Sequence, residues 1–377
     1  MKFHRVIAVA RKEWIHVLRD WRSLLLTLGT PVFLLVLFAY ALTLDVDKVP
    51  LALMDQSNTQ ESRDISARFI DSGYFKLVGT STNYRDLEKM IDNGTALIAL
   101  VIPQDIELGS KSHSLKKVQI IVDGSDSNTA TIALGYSEAI IGKLTEERIT
   151  RFAREEGYRG NLNDIDLRSR VWYNPDMESK YTIVPGLIGV IMMVITSLMT
   201  SLTMAREWEK GTMETLITTP IRPFELIVGK MIPYFFIGLI DVIIVIAIGE
   251  FVFHVPMRGS LGLLFLFTTI FLVGALSLGM LISIITKSQL LASQLATVVT
   301  FLPSFLLSGF LSPIANMPLF IQMITLLVPA RYLIHFLRSI YLKGEGIETL
   351  YIEALFLITF ALMTFLFANM AFKKKMV

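Results

Sequence analysis

Glu207, Lys210 and Glu214 recur at i, i+3 and i+7 within residues 205–230, AREWEKGTMETLITTPIRPFELIVGK, a polar stretch lying between two long apolar runs. On a helix that spacing lines one face with alternating charge, and Trp208 sits where an indole prefers the headgroup level. The chemistry on offer is contact with a partner rather than catalysis. No catalytic set accompanies the stretch: His4, His16, His113, His254 and His335 show no metal-ligand spacing such as H-E-x-x-H, and there is no G-x-S-x-G elbow. The chain has no cysteine, which removes disulfides, thiolate metal sites and a thiol nucleophile together. A phosphate-binding G-x-x-x-x-G-K-[ST] is also missing, because Gly142-Lys143 is followed by Leu144 and Gly229-Lys230 by Met231. If a nucleotide energises this chain, a separate subunit has to bind it. One further ionisable group stands out. Asp241 lies about ten residues into an apolar run, where an ionised side chain costs roughly 2.5–3.5 kcal/mol. It must face protein or water, either pairing with a neighbouring helix or handling substrate or a proton.

The elements that position these groups are set by composition. Of 377 residues, 53% are hydrophobic and 18% charged, which is the balance of an integral membrane protein. A net charge of +2 is too small for a nucleic-acid binder. Spanning a bilayer core takes about 20 helical residues. Six runs reach that length: 24–44, 183–204, 231–255, 261–285, 290–314 and 350–372. A seventh apolar piece, 319–341, is broken by Pro329 and carries Arg331, His335 and Arg338, so residues 315–349 read as an outer loop with a broken, re-entrant segment.

Basic residues gather before the first run (Lys2, Arg5, Arg11, Lys12, Arg19, Arg22) and after the last (Lys373, Lys374, Lys375, within the tail 373–377), which places both termini in the cytoplasm. Residues 205–230 are then cytoplasmic and the insert 45–182 extracytoplasmic. In residues 1–23, Phe3, Val6, Ile7, Ala10, Trp14, Val17, Leu18 and Trp21 fall at helical spacing opposite most of the basic residues. That is an amphipathic interfacial helix lying on the cytoplasmic leaflet or packed on a partner. A signal peptide cut after Ala39-Tyr40-Ala41 is the competing reading.

The insert alternates β-rich runs (49–54, 75–78, 96–102, 118–122) with helical ones (60–70, 84–91, 129–156), an α/β domain. Two strand exits, residues 55–59 and 123–129, feed helices and invite either N-capping or an anion site. In the polar stretch, Pro220 stops a helix ending near Thr218. Pro223 at a first helical position, with Glu225 two residues on, starts another. Helix, kink and helix make a rigid elbow able to pass on a push from a partner. An interfacial loop that only anchors span ends is the plainer alternative.

Arg206, Glu207, Gly211, Thr212, Glu214, Leu216, Thr219, Pro220, Glu225, Gly229 and Lys230 resemble the signature R-E-x-x-x-G-T-x-E-x-L-x-x-T-P-x-x-x-x-E-x-x-x-G-K of the ABC-2 type permeases, those of type V, ABCG-like architecture. Asn174-Pro175, Val184-Pro185-Gly186, Ser308-Gly309, Pro313, Met317-Pro318, Pro329 and Arg338 are similar to the same family, as is the layout of one span, a large outer domain and five more spans. Within the family the likeness is to bacterial multidrug-type exporter permeases with large periplasmic inserts.

The resemblance implies an α-helical polytopic membrane protein, with six transmembrane helices and the α/β domain inserted between the first and second. It implies a permease subunit of an ATP-binding cassette exporter in the inner membrane, with two separate ATPase subunits and a second permease subunit, identical or related. A periplasmic adaptor is a further candidate partner. The chain itself is then no enzyme and carries no cofactor or metal; ATP and magnesium belong to the partner. The residues from Arg206 to Glu225 named above become the ATPase-coupling set, and the substrate path follows the dimer interface formed mainly by the second and fifth spans. Hydrophobic spans suit an amphipathic drug or lipid-like cargo. Two other classes stay open. A proton-coupled secondary transporter using Asp241 predicts internal repeats, which are not evident. A membrane-tethered receptor or assembly factor would work through its outer domain.

Overall fold

A computed structural model describes residues 3–42, 48–104, 117–125, 127–155, 173–174 and 178–372. The basic tail 373–377, Lys2 and Pro175 lie outside the described residues. The chain divides into two compact units, residues 1–43 with 170–377, and residues 44–169.

The chain opens with α1 (Phe3–Arg19) and α2 (Trp21–Ala41). Only Val6, Val9 and Glu13 are buried on α1, an i, i+3, i+7 stripe that needs a partner surface. Phe3, Ile7, Trp14 and Leu18 remain exposed on a second stripe. The apolar face read from the sequence is therefore divided, with Val6 on the stripe that seats α1 on the protein and Phe3, Ile7 and Leu18 on the exposed one, where Trp14 lies edge-on to Phe236. Within α2 the apolar part is Thr27–Ala41, short of the length of the other candidate spans.

The smaller unit is a three-layer α/β fold. Its elements are β1 (Val49–Asp55), α3 (Gln60–Asp71), β2 (Phe75–Thr80), α4 (Tyr84–Asp92), β3 (Ile98–Ile102), β4 (Gln119–Val122) and α5 (Ser127–Glu155). The sheet order is β2-β1-β3-β4, with β1 parallel to β2 and β3, and β4 antiparallel to β3. Alternation along the strands sends Leu51, Ile98, Leu100 and Ile102 to one face, against Phe69 of α3 and Ala133 of α5. Ala52, Met54, Ala99 and Val101 go to the other, against Leu87 of α4. At the exit of β1, Thr59 caps α3 by accepting from Ser62 N at 3.2 Å. The Asp55 carboxylate accepts from Ser57 N, Asn58 N and Ser62 Oγ. An acid already holds these donors, which favours capping over an anion site.

The larger unit continues with α6 (Lys180–Glu209), α7 (Thr212–Thr218), α8 (Pro223–Phe251), α9 (Leu261–Thr286), α10 (Gln289–Leu306), α11 (Leu319–Thr325), α12 (Pro329–Arg338) and α13 (Tyr351–Ala371). Five of these, α6, α8, α9, α10 and α13, are long and apolar enough to cross a membrane. Helix α11 and the α12 stretch to Lys343 form a pair bent by 84°. The apolar run 290–314 is helical only to Leu306. Gly309 then turns the chain at φ 80°, a backbone state that hydropathy does not register.

Helix α9 is the centre of this unit. Gly279 lets α6 approach so closely that an added Cβ would fall 2.1 Å from the Ser197 carbonyl oxygen. On the same face, Ser197 Oγ and Thr200 Oγ1 donate to the carbonyls of Ala275 and Leu276 at 3.0 and 2.8 Å. Gly274 does the same for α13, seated on Phe360 and Ala361. Small residues and interhelical hydroxyls replace the hydrophobic drive that lipid cannot supply.

Candidate functional site: an ion-paired joint at the elbow

The polar stretch is built by its turn residues. Helix α6 runs on through Arg206 and Glu207 to Glu209, and Gly211 in the left-handed region (φ 70°) ends it. Helix α7 then starts at Thr212, held down by buried Met213 and Ile217. Thr219 is extended, Pro220 cannot continue the helix, and Pro223 occupies the first position of α8. Glu225 Oε2 accepts from Arg222 N at 3.1 Å, capping that start.

This geometry corrects one expectation. Glu207, Lys210 and Glu214 do not share a helical face, because the turn at Gly211 separates them onto two helices. Glu207 is buried, whereas Lys210 and Glu214 are exposed. Glu214 makes no ion pair among the described residues, and Leu216 is half-buried beside it.

Glu207 instead belongs to a buried cluster. Lys230, 1% exposed, places Nζ 2.5 Å from Glu13 Oε1 and 2.9 Å from Glu207 Oε1. Lys12 Nζ reaches the same Glu207 oxygen at 2.7 Å, and Thr212 Oγ1 donates to Oε2. Nearby, Arg5 contacts the Pro220 carbonyl and lies 3.7 Å from Glu225. Arg206 bonds His16 at 2.7 Å, while Glu209 accepts from Gln289 N at 2.7 Å. Helix α1 is thereby tied to α6, to the elbow and to α8, and the contact is close: a Cβ on Gly229 would stand 2.7 Å from Val9 Cβ.

The coupling residues read from the sequence are thus brought together in part. Arg206, Glu207, Thr212, Pro220 and Glu225 have named partners, Gly211 and Thr219 shape the turns, and Glu214 projects outward. Lys12, Glu13 and Lys230 complete the cluster. Sequence reasoning did not place Glu13, although an acid in register with Val6 and Val9, amid basic neighbours, is the signal that marks it.

Asp241 sits apart from the joint. It is buried on α8, and its Oδ1 has no hydrogen-bond partner among the described residues. Among those residues no three His, Asp or Glu side chains are grouped to hold a metal.

A bundle of long apolar helices, two of them joined by a polar elbow, suits a membrane transport subunit. Residues 21–369 match the family described as "ABC-2 family transporter protein". The chain belongs to that family. It is 36% identical over 365 residues to "Probable multidrug ABC transporter permease YbhS" of Escherichia coli (strain K12), covering 96% of this chain and 95% of the relative. It is 30% identical over 346 residues to "Probable multidrug ABC transporter permease YbhR" of the same strain, 92% of each. A Dictyostelium discoideum protein, "ABC transporter G family member 20", matches at 26% over 196 residues, 52% of this chain and 27% of its own length. The chain is a multi-pass membrane permease, not an enzyme, and it works with ABC ATPase subunits that hydrolyse the nucleotide.

Proposed function

We propose that this permease pairs with a second permease subunit over two ATPase subunits and exports amphipathic drug-like or lipid-like molecules; the word multidrug in the names of two relatives supports the drug-like part. In this reading both termini and the elbow are cytoplasmic and the membrane is the bacterial inner membrane. The α/β unit faces the outside, where a periplasmic adaptor is a natural partner. The observation that carries the proposal is the joint. Lys230 and its two carboxylates fasten α1, α6 and α8 into one rigid piece beneath α7, whose outward side offers Glu214 and Thr215 to a partner. Displacement of α7 by an ATPase then reaches the spans directly, since two of its residues are embedded in the same core as Met204, Leu226 and Met280.

The test is Glu214→Arg in the complex reconstituted with its ATPases. ATP hydrolysis should persist while transport falls at least about tenfold, with membrane insertion unchanged. Undiminished transport would remove α7 from the coupling role. Copurification without any ATPase, together with collapse of transport under a protonophore, would favour a secondary transporter using Asp241.

A further inference from the structure

A cavity of about 430 Å³ opens between the broken segment and α13, at the end of the larger unit away from the elbow, and nothing in the proposed cycle uses it. Its charged lining is Arg331 and Arg338 against the single carboxylate of Glu353, beside the polar side chains of Ser308, Tyr332 and His335. Glu353 is already engaged, with Oε1 2.9 Å from His335 Nδ1. Neither arginine meets a carboxylate among the described residues.

Arg338 is held by backbone alone. Nε donates to Thr182 O at 3.2 Å, Nη1 to Gly309 O at 2.9 Å and Nη2 to Phe310 O at 3.3 Å. A guanidinium has five N–H groups, so two are left over. Gly186 leaves room for Phe310 first and the guanidinium second, since a Cβ there would lie 2.5 Å from Phe310 Cδ2 and 3.2 Å from Nη2. Arg331 donates to Thr325 Oγ1, a neutral hydroxyl. The two half-buried guanidinium groups are fixed in place by neutral groups, and with Glu353 turned to His335 their remaining N–H groups have no anionic acceptor among the described residues. Keeping a cation out of water is costly unless an anion answers it, and a planar guanidinium answers carboxylate or phosphate best.

The rest of the lining says what the anion is attached to. Pro313, Ile314, Leu326 and Ile352 are apolar. Leu326 is also 48% exposed, at the end of a helix whose Leu319, Phe320 and Met323 are exposed too. A polar end beside an exposed apolar flank fits a head and a tail.

We propose that this cavity binds the anionic headgroup of an amphiphile, a phosphate or carboxylate carried on an apolar chain, with Arg331 and the free N–H groups of Arg338 as its ligands. The site needs neither nucleotide nor ATPase, so its test stands apart from the coupling reading.

Native mass spectrometry of the full-length permease in neutral detergent, titrated with phosphatidylglycerol or phosphatidylcholine, reads binding directly. The native chain should retain phosphatidylglycerol over phosphatidylcholine by about tenfold. Arg331→Gln should remove that preference, and Arg331→Lys should keep most of it with an unchanged melting temperature. Arg331 is the residue to vary because Arg338 also holds three carbonyls together. Equal retention of the two lipids, or an unchanged preference in a folded Arg331→Gln, would overturn the proposal. Displacement of phosphatidylglycerol by equimolar inorganic phosphate would equally overturn it, since free oxyanion rather than amphiphile would then be the ligand.

Discussion

Lys230 and Glu13 stand 217 positions apart in the chain, yet Nζ and Oε1 lie 2.5 Å apart where water scarcely reaches. Removing one partner of a buried pair leaves the other charge stranded, at a cost of about 3–5 kcal/mol. Glu13→Gln should therefore lower the melting temperature of the purified permease strongly, tempered by the remaining contact with Glu207. Lys12→Ala should barely do so. Lys12 is 53% exposed, and pairs of that kind contribute about 0–1 kcal/mol. A double-mutant cycle of Glu13→Gln with Lys230→Met isolates the pair, and a coupling of about 2 kcal/mol is expected. Additive losses would show that the two charges do not depend on each other.

Gly229 decides how closely α1 can lie on α8. With Val9 Cβ 2.7 Å from an added Cβ and the Val6 carbonyl oxygen 3.1 Å away, Gly229→Ala must push the helix outward. A cost of about 1–3 kcal/mol follows from overpacking. Val9→Ala in the same chain should recover part of it. The absence of native cysteine makes the displacement measurable. A cysteine pair placed on α1 and α8 should cross-link in the parent and more slowly in Gly229→Ala.

The α7–α8 elbow was legible in the sequence because it depends on local chemistry. Pro220, Pro223 and Glu225 have the same meaning in any context. The strands were legible for a similar reason, since runs such as 49–54 and 96–102 are rich in Val, Ile and Leu between turn residues. The Glu13–Lys230 pair was not legible, because nothing local connects two residues that only tertiary packing brings together. The shared face of Glu207, Lys210 and Glu214 misled in the opposite direction. Its spacing is helical, but Gly211 at φ 70° ends α6 before the pattern is complete, so Glu214 starts on a new helix while Glu207 faces Lys12 and Lys230. Hydropathy alone likewise extended α10 past Leu306, through the turn at Gly309.

Two glycines separate backbone freedom from packing. Gly279 on α9 faces the Ser197 carbonyl at 2.1 Å, and a backbone atom cannot swing aside. Gly279→Ala should force α6 and α9 apart and destabilise the bundle by more than the Gly229 change. Gly142 on α5 has nothing within 4 Å of an added Cβ. There the substitution to alanine should stabilise by about 0.5–1 kcal/mol, by restricting the unfolded chain. Thermal unfolding of the two variants should shift in opposite directions, and a loss for Gly142→Ala would refute the account.

Asp241 differs from the paired charges of the joint in the sign of its effect on stability. A buried carboxyl with an unpartnered oxygen does not stabilise the bundle it sits in, because desolvation is incurred with no bond in return. An apolar side chain of similar volume carries no such desolvation cost. Asp241→Leu should therefore leave the melting temperature unchanged or higher. If the carboxyl acts on cargo or on a proton, transport should fall in the same variant, and Asp241→Glu should restore more of it than Asp241→Asn. A marked loss of stability in Asp241→Leu would instead mean that the carboxyl holds helices together, since only a group with a partner can be missed by the fold.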